Sequence, residues 1–167
     1  MTRDASSSRV AEITGTAQSP KTLPWAPNVD GSRTEAEAIA IAKRWGVTIP
    51  EDIRFIFRDD LVPADAYATY NTFTSTGRVR WSEFYVKERI PVKVRRSVLD
   101  SDEAIVAVIA HEMFELNALR EMFETRETIP SLEIIDRIRT GVPKNLHDRA
   151  WDAADKFVQA MRQEGTC

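Results

Sequence analysis

The stretch of sequence that most constrains the fold is the run IVAVIAHEMFEL, which covers residues 105–116. Apolar residues point in almost every direction around a helix built from this run, so we predict a central helix that is buried on all sides. Three ionisable residues, His111, Glu112 and Glu115, interrupt the apolar pattern. Because the burial of an ionisable group is costly, the sequence predicts that each of them is paired, neutralised or bound to a metal.

Helical patterns also lie on both sides of this run. A first helix is predicted within residues 32–47, where Ser32 or Thr34 can serve as the N-cap. Asp100 or Ser101 can cap the central helix. Two further helices are predicted after it, a short one within residues 128–143 and a final amphipathic one within residues 144–165.

Three segments alternate apolar and polar residues in the way that is typical of β-strands, namely residues 53–60, 78–86 and 90–98. Pro91 indicates either the start of the third strand or a position at the edge of a sheet. The order of elements predicts an α+β fold. We expect a small mixed or antiparallel sheet of about three to four strands, packed against the first and the central helix and followed by C-terminal helices.

Composition predicts a single globular domain behind an N-terminal lead. The chain has 167 residues, of which 43% are hydrophobic and 29% are charged. Residues 1–33 are rich in Ser, Thr, Pro, Gly and Asp and show no apolar period. We therefore predict a flexible lead over residues 1–33, with PWAP (24–27) docking on the domain, and one domain over residues 34–167.

Charge and composition disfavour several classes of function. The net charge of −3 disfavours nucleic acid as a partner. The single cysteine, Cys167, excludes an internal disulfide and a cysteine-based zinc site. No segment offers the roughly 18 apolar residues of a membrane helix, and residues 1–15 lack the apolar core of a signal peptide. We therefore expect no membrane partner, and a location in the cytoplasm or secretion without a cleavable signal peptide.

His111 and Glu115 have the spacing of two metal ligands on one helix. Residues four apart project from the same face, and an imidazole and a carboxylate placed in this way can both reach one ion at about 2.0–2.2 Å. Glu112 is rotated by about 100° from His111, which suits a general base that takes a proton from a water on the ion. A buried His–Glu pair without any metal is the structural alternative.

The segment IPVKVRRSVLDSDEAIVAVIAHEMFE, residues 90–115, resembles the edge strand, short connection and active-site helix of zincin-type metallopeptidases. In that family the helix carries His-Glu-x-x-His. The resemblance implies that His111 binds zinc and that Glu112 is the catalytic base. The second histidine of the family is replaced here by Glu115, an anionic ligand that would lower the net charge of the site and make a bound water less acidic.

A catalytic zinc site needs a third protein ligand, and the final helix offers candidates. Many zincins take this ligand from a later helix, often beside an Ala-Asp pair. This chain has the pair at residues 154–155, but Trp151 occupies the glutamate position of the family. We favour His147, one turn earlier, as the third ligand, and Asp148 and Asp152 are the alternatives.

The leading prediction is a zinc-dependent, metallopeptidase-like hydrolase that acts on a peptide or protein. The run around His111, together with NLHDRAWDAAD (145–155), is similar to toxin domains at the C-terminal ends of bacterial polymorphic secreted proteins. That similarity implies a bacterial effector with an immunity protein as its partner. Two alternatives remain: a degenerate zincin that acts as a binding or structural module, and a metal-dependent hydrolase of another substrate such as nucleic acid.

Overall fold

The computed structural model describes residues 25–51, 53–61, 66–70, 90–123, 140–141 and 145–165. The elements of this part are, in chain order, α1 (Glu35–Arg44), β1 (Ile53–Arg58), β2 (Ala68–Tyr70), β3 (Ile90–Arg95), a 3₁₀ helix (Arg96–Asp100), α2 (Asp102–Phe123) and α3 (Leu146–Gly165). The predicted α+β class is confirmed. The predicted strand over 78–86 and nearly all of the predicted helix over 128–143 lie outside the described residues.

The three strands form one mixed sheet in the order β1–β3–β2. β1 and β3 run parallel, with Phe55 opposite Val92, whereas β2 runs antiparallel to β3, with Tyr70 opposite the same Val92. Alternate residues of β1, namely Ile53, Phe55 and Phe57, are buried, so one face of this strand meets the core. Because β1 and β2 each pair with β3, it is the middle strand of the described sheet.

The middle position of β3 corrects one implication of the resemblance to zincins. That resemblance predicts a sheet edge at residues 90–98, and this is wrong, because the buried strand β2 pairs along the side of β3 that would otherwise be open. β2 pairs with Val92–Val94 only, so Pro91 precedes this ladder and its missing N–H breaks none of these pairs. Pro91 is the second residue of β3, which agrees with a place near the start of the strand and not with a sheet edge.

α1 begins and ends at residues that suit these positions. The side chain of Thr34 accepts a hydrogen bond from the N–H of Glu37, and the Glu37 carboxylate accepts one from the N–H of Thr34. Of the two predicted caps, Thr34 is therefore the one used. Gly46 follows the helix with a φ of 102°, a conformation that favours glycine. Ile41 and Ala42 are buried on the inner face of the helix.

α2 is the buried helix that the sequence predicts. All residues from 104 to 113 are buried, and it contacts α3, α1 and the 3₁₀ helix. Of the two predicted caps, Ser101 is used, because its hydroxyl accepts a hydrogen bond from the N–H of Ala104 at 3.1 Å. None of the described helices is long and apolar enough to cross a membrane.

α3 packs along α2 through one apolar face. Asn145 caps this helix by accepting a hydrogen bond from the N–H of Asp148 at 2.9 Å. The residues of α3 that are buried against the core are Leu146, Ala150, Trp151, Ala154 and Val158. Because His147 lies within the first turn, next to this buried face, the packing of α3 directs it toward α2.

Residues 25–33 lie against the start of α2. The N–H of Ala26 donates a hydrogen bond to Oε1 of Glu103 at 2.8 Å. The ring of Trp25 packs edge-on against Tyr67, with a centroid distance of 5.0 Å, and lies 6.0 Å from the ring of Trp151. The expected docking of PWAP is thus found for Trp25, while the predicted boundary between residues 33 and 34 stays a prediction.

Candidate metal centre

The three predicted metal ligands meet in the interior of the protein. His111 and Glu115 project from the middle of α2, and His147 projects from the first turn of α3. One ligand atom from each residue can be chosen so that all three atoms lie within 4.8 Å of one another. Within the described part of the chain, this is the group of His, Cys, Asp and Glu side chains that is spaced to hold an ion.

One carboxylate oxygen of Glu115 lies between the two imidazoles. Its Oε2 is 3.0 Å from Nε2 of His111 and 3.1 Å from Nδ1 of His147. The contact with His147 is aligned as a hydrogen bond, whereas the one with His111 is a close approach without that alignment. A tetrahedral ion with bonds of about 2.0–2.1 Å separates its ligands by about 3.3 Å. The two distances from Oε2 of Glu115, 3.0 and 3.1 Å, are close to this ligand separation.

The cluster is almost completely closed to solvent. His111, Glu112 and Glu115 are 0% exposed, and the side chain of His147 is 18% exposed. Ionisable groups at this depth are stable only when opposite charge, hydrogen bonds or a metal replace their lost hydration. Since His147 is the partly exposed member, solvent reaches the cluster from the side of His147.

Tyr70 reaches the cluster from the sheet. Its hydroxyl donates a hydrogen bond to Oε1 of Glu115 at 2.9 Å, and the residue is 1% exposed. The two oxygens of Glu115 therefore have different surroundings, one facing a phenol and the other facing two imidazoles. No spacing rule links residue 70 to a helix 45 positions later, so the sequence alone does not predict this contact.

Glu112 lies beside the proposed ligands and is not one of them. Its Oε2 is 3.8 Å from Nε2 of His111, which is the nitrogen that also approaches Glu115. Although the helical repeat rotates Glu112 by about 100° from His111, its carboxylate still faces the space between the proposed ligands. A buried carboxylate at this place is positioned to exchange a proton with a molecule held at the cluster.

Trp151 forms a wall behind both imidazoles. The centroid of its ring lies 4.3 Å from that of His111 and 6.4 Å from that of His147, while the two imidazole rings are 4.9 Å apart. Trp151 is 3% exposed and therefore belongs to the core. Among the described residues, its indole N–H has no hydrogen-bond partner. The ring therefore restricts the two histidines by packing.

The alternative third ligands are not part of the cluster. Asp152 is exposed and lines a groove of about 620 Å³, whose apolar walls include Trp45, Phe114 and Phe157. Asp148 lies in the first turn of α3 but does not belong to the group that is spaced to hold an ion. The donor that α3 brings to the cluster is His147.

The functional interpretation depends on the chemistry of this cluster. Two imidazoles and a carboxylate converge in a buried volume, and a second carboxylate stands beside them. Neutral imidazole and carboxylate oxygen are both established ligands of zinc, so the residues fit such an ion. Comparison of the chain with protein-family models, with curated proteins and with solved structures finds no match.

Proposed function

We propose that the protein is a zinc-dependent hydrolase whose ion is held by His111, Glu115 and His147. The observation that carries this proposal is the convergence of the three donors in the core. Two imidazoles and one carboxylate form the ligand set of a well-known group of catalytic zinc sites in peptidases. The same donors occur here in a changed order, with the carboxylate in the second position on α2 and the second imidazole supplied by α3.

This changed order removes the electrostatic objection to Glu115. Considered alone, the replacement of a histidine by Glu115 adds a negative charge to the site and makes a bound water less acidic. With His147 as the third ligand, the complete set contains one anion and two neutral imidazoles. The total ligand charge therefore equals that of zinc sites with two histidines and one glutamate, which are competent in hydrolysis.

Glu112 is the general base in this proposal. When bound, a zinc ion would make a water molecule more acidic and polarise the carbonyl group of the substrate. Glu112, whose Oε2 is 3.8 Å from Nε2 of His111, accepts a proton from water at its carboxylate. The same carboxyl group then donates this proton to the leaving nitrogen. Trp151 excludes solvent from the inner side of the cluster.

A peptide or related amide bond is the proposed substrate. The departure of an amine requires a proton, and Glu112 supplies a buried acid for this step after it has acted as the base. The exposed edge of His147 marks the side from which the substrate approaches. The resemblance of the run around His111, together with residues 145–155, to toxin domains supports a bacterial effector role, with an immunity protein as the partner.

The test of this proposal is the substitution Glu112→Gln, which keeps the shape of the side chain and removes its basicity. We expect hydrolysis of a peptide panel to fall by about 10²–10⁴-fold, while zinc stays bound at the wild-type stoichiometry. Glu121→Gln is the matched control, because Glu121 is exposed near the end of the same helix. Unchanged activity in Glu112→Gln would show that the assigned base is wrong.

Two other results would redirect the assignment. The same donor set also suits ferrous iron, so iron in the purified protein would indicate oxygen-dependent chemistry. Bound zinc without hydrolysis by the wild-type protein would indicate a degenerate zincin that acts as a binding or structural module. Hydrolysis of nucleic acid but not of peptides, lost in Glu112→Gln, would retain the mechanism and change the substrate.

A further inference from the structure

We infer that Tyr70 is a positioning residue that makes Glu115 bind the metal through one oxygen only; this rests on the proposed zinc site. The Tyr70 hydroxyl donates a hydrogen bond to Oε1 of Glu115 at 2.9 Å. The other oxygen, Oε2, faces His111 and His147 at 3.0 and 3.1 Å. The two oxygens are thus already divided between an orienting contact and the ligand cluster.

The backbone around Tyr70 holds its side chain in place. All three residues of β2 are buried, and β2 pairs with β3 so that Ala68 lies opposite Val94 and Tyr70 lies opposite Val92. Tyr70 itself is 1% exposed, so its ring is enclosed by the core. A phenol has few rotatable bonds, and its hydroxyl is therefore presented to Glu115 at a nearly fixed position.

The contact has a definite chemical consequence for a bound ion. A carboxylate can bind a metal through one oxygen or through both. The hydrogen bond at Oε1 of Glu115 favours binding through Oε2, which leaves coordination positions for water and substrate. Groups that orient metal ligands in this way typically change metal affinity by about 10–100-fold.

A hydrogen bond that serves only the fold predicts a different result. In that case the loss of the Tyr70 hydroxyl would lower the stability of the protein and leave its zinc affinity and coordination unchanged. Buried polar contacts are common in protein cores for this reason alone. Measurements of zinc affinity and of metal coordination therefore distinguish the two interpretations, and neither measurement depends on hydrolytic activity.

The experiment compares Tyr70→Phe with Tyr67→Phe. Each variant loses one phenolic hydroxyl, and the two residues are only three positions apart in sequence. Tyr67, however, packs against Trp25 and lies outside the cluster. Zinc affinity is measured by competition with a chromogenic chelator, and coordination by the visible spectrum of the cobalt(II) protein. We expect Tyr70→Phe to weaken zinc binding by about 10–100-fold and to change the cobalt spectrum, whereas Tyr67→Phe keeps both.

The results separate this inference from the proposed function. Stoichiometric zinc in the wild-type protein, with the same affinity and cobalt spectrum in Tyr70→Phe, would overturn the role of Tyr70 alone. A wild-type protein that binds no zinc would overturn the proposed function together with this role. If Tyr70→Phe is unfolded without metal, folding and zinc binding are coupled, so the comparison uses the cobalt(II) spectrum of the metal-folded protein. A spectrum identical to that of the wild-type protein would then contradict the inference.

Discussion

The start and the middle of α2 hold their acidic side chains by different means. At the start, Asp102 accepts two hydrogen bonds from Arg33, at 2.8 and 3.0 Å, and Glu103 accepts two from Arg162, at 2.9 and 2.7 Å. In the middle, the fully buried Glu115 lies between two imidazoles and accepts a hydrogen bond from a phenol. The first arrangement uses permanent cations, whereas the second uses groups that are neutral or titratable.

This difference agrees with a structural role for the start of α2 and with the proposed metal-binding role for its middle. The arginine contacts hold the pKa of Asp102 and of Glu103 below their usual ranges, mainly through side-chain hydrogen bonds. They also connect residues 25–33 and α3 to the start of α2. Arginine is never deprotonated in proteins, so these pairs need no further ion. Imidazoles become charged only on protonation, and a buried carboxylate among them is well placed to share a divalent cation.

The largest expected effect follows from the loss of a proposed zinc ligand of the buried cluster. His147→Gln removes one of three donors, and we expect zinc affinity to fall by more than the roughly 10–100-fold that orienting groups contribute. Asp152→Asn, on the exposed face of the same helix, should keep wild-type affinity. Elemental analysis after dialysis measures both. Full retention of zinc in His147→Gln would remove this residue from the ligand set.

A substitution at the start of α2 should have a smaller effect, which lowers the unfolding free energy and leaves zinc binding unchanged. Glu103→Gln loses the charged pair with Arg162, and hydrogen bonds to charged groups contribute about 1.5–3 kcal/mol. We expect a lower free energy of unfolding in urea, with zinc stoichiometry unchanged. Glu164→Gln, an exposed residue on α3, serves as the control. Loss of zinc in Glu103→Gln would show that the two regions of α2 are not independent.

The acid dependence of stability should sharpen the same contrast. The pKa values of Asp102 and Glu103 are lowered in the folded protein, so the unfolded chain takes up protons first as the pH falls. Their contribution is therefore complete above the unfolded pKa values, near pH 4, and is lost as the pH falls through the lower folded values. The double variant Asp102→Asn/Glu103→Gln should show a shallower decrease in unfolding free energy over this range. An identical acid profile would contradict this assignment.

The smallest effect is expected from an exposed ion pair. Arg58 and Asp60 are 3.0 Å apart, but their side chains are 50% and 59% exposed. Exposed pairs of this kind contribute about 0–1 kcal/mol and are screened by salt. Asp60→Asn should therefore change the unfolding free energy by no more than about 1 kcal/mol, and less at high salt. A larger loss of unfolding free energy would mean that the exposure of an ion pair does not predict its contribution to the stability of this protein.

Local patterns predict the three described α-helices and part of the candidate site. The capping box at Thr34 and Glu37 involves neighbours in sequence, and the four-residue spacing of His111 and Glu115 places them on one helical face. The sequence predicts His147 as the third ligand, and the packing of α3 on α2 brings this residue to the same cluster. These features depend on the helical repeat and on chemistry that is visible in short segments.

Contacts between distant segments are not predictable in this way. β2 has only three residues, all buried, and so shows no alternation that would mark it as a strand. Its pairing with β3 corrects the predicted sheet edge and also delivers Tyr70 to Glu115 across 45 positions of sequence. The partner of Glu103, Arg162, is likewise 59 positions away. Such contacts follow from the packing of whole elements.

The most direct test of the proposed zinc centre is the metal content of the full chain purified without chelators. We predict one zinc per chain by elemental analysis, together with a lower melting temperature after chelation that added zinc restores. The Glu112→Gln protein should give the same two results, because Glu112 is not one of the three proposed ligands. A wild-type protein with no stoichiometric metal and no gain in melting temperature on zinc addition would contradict the account.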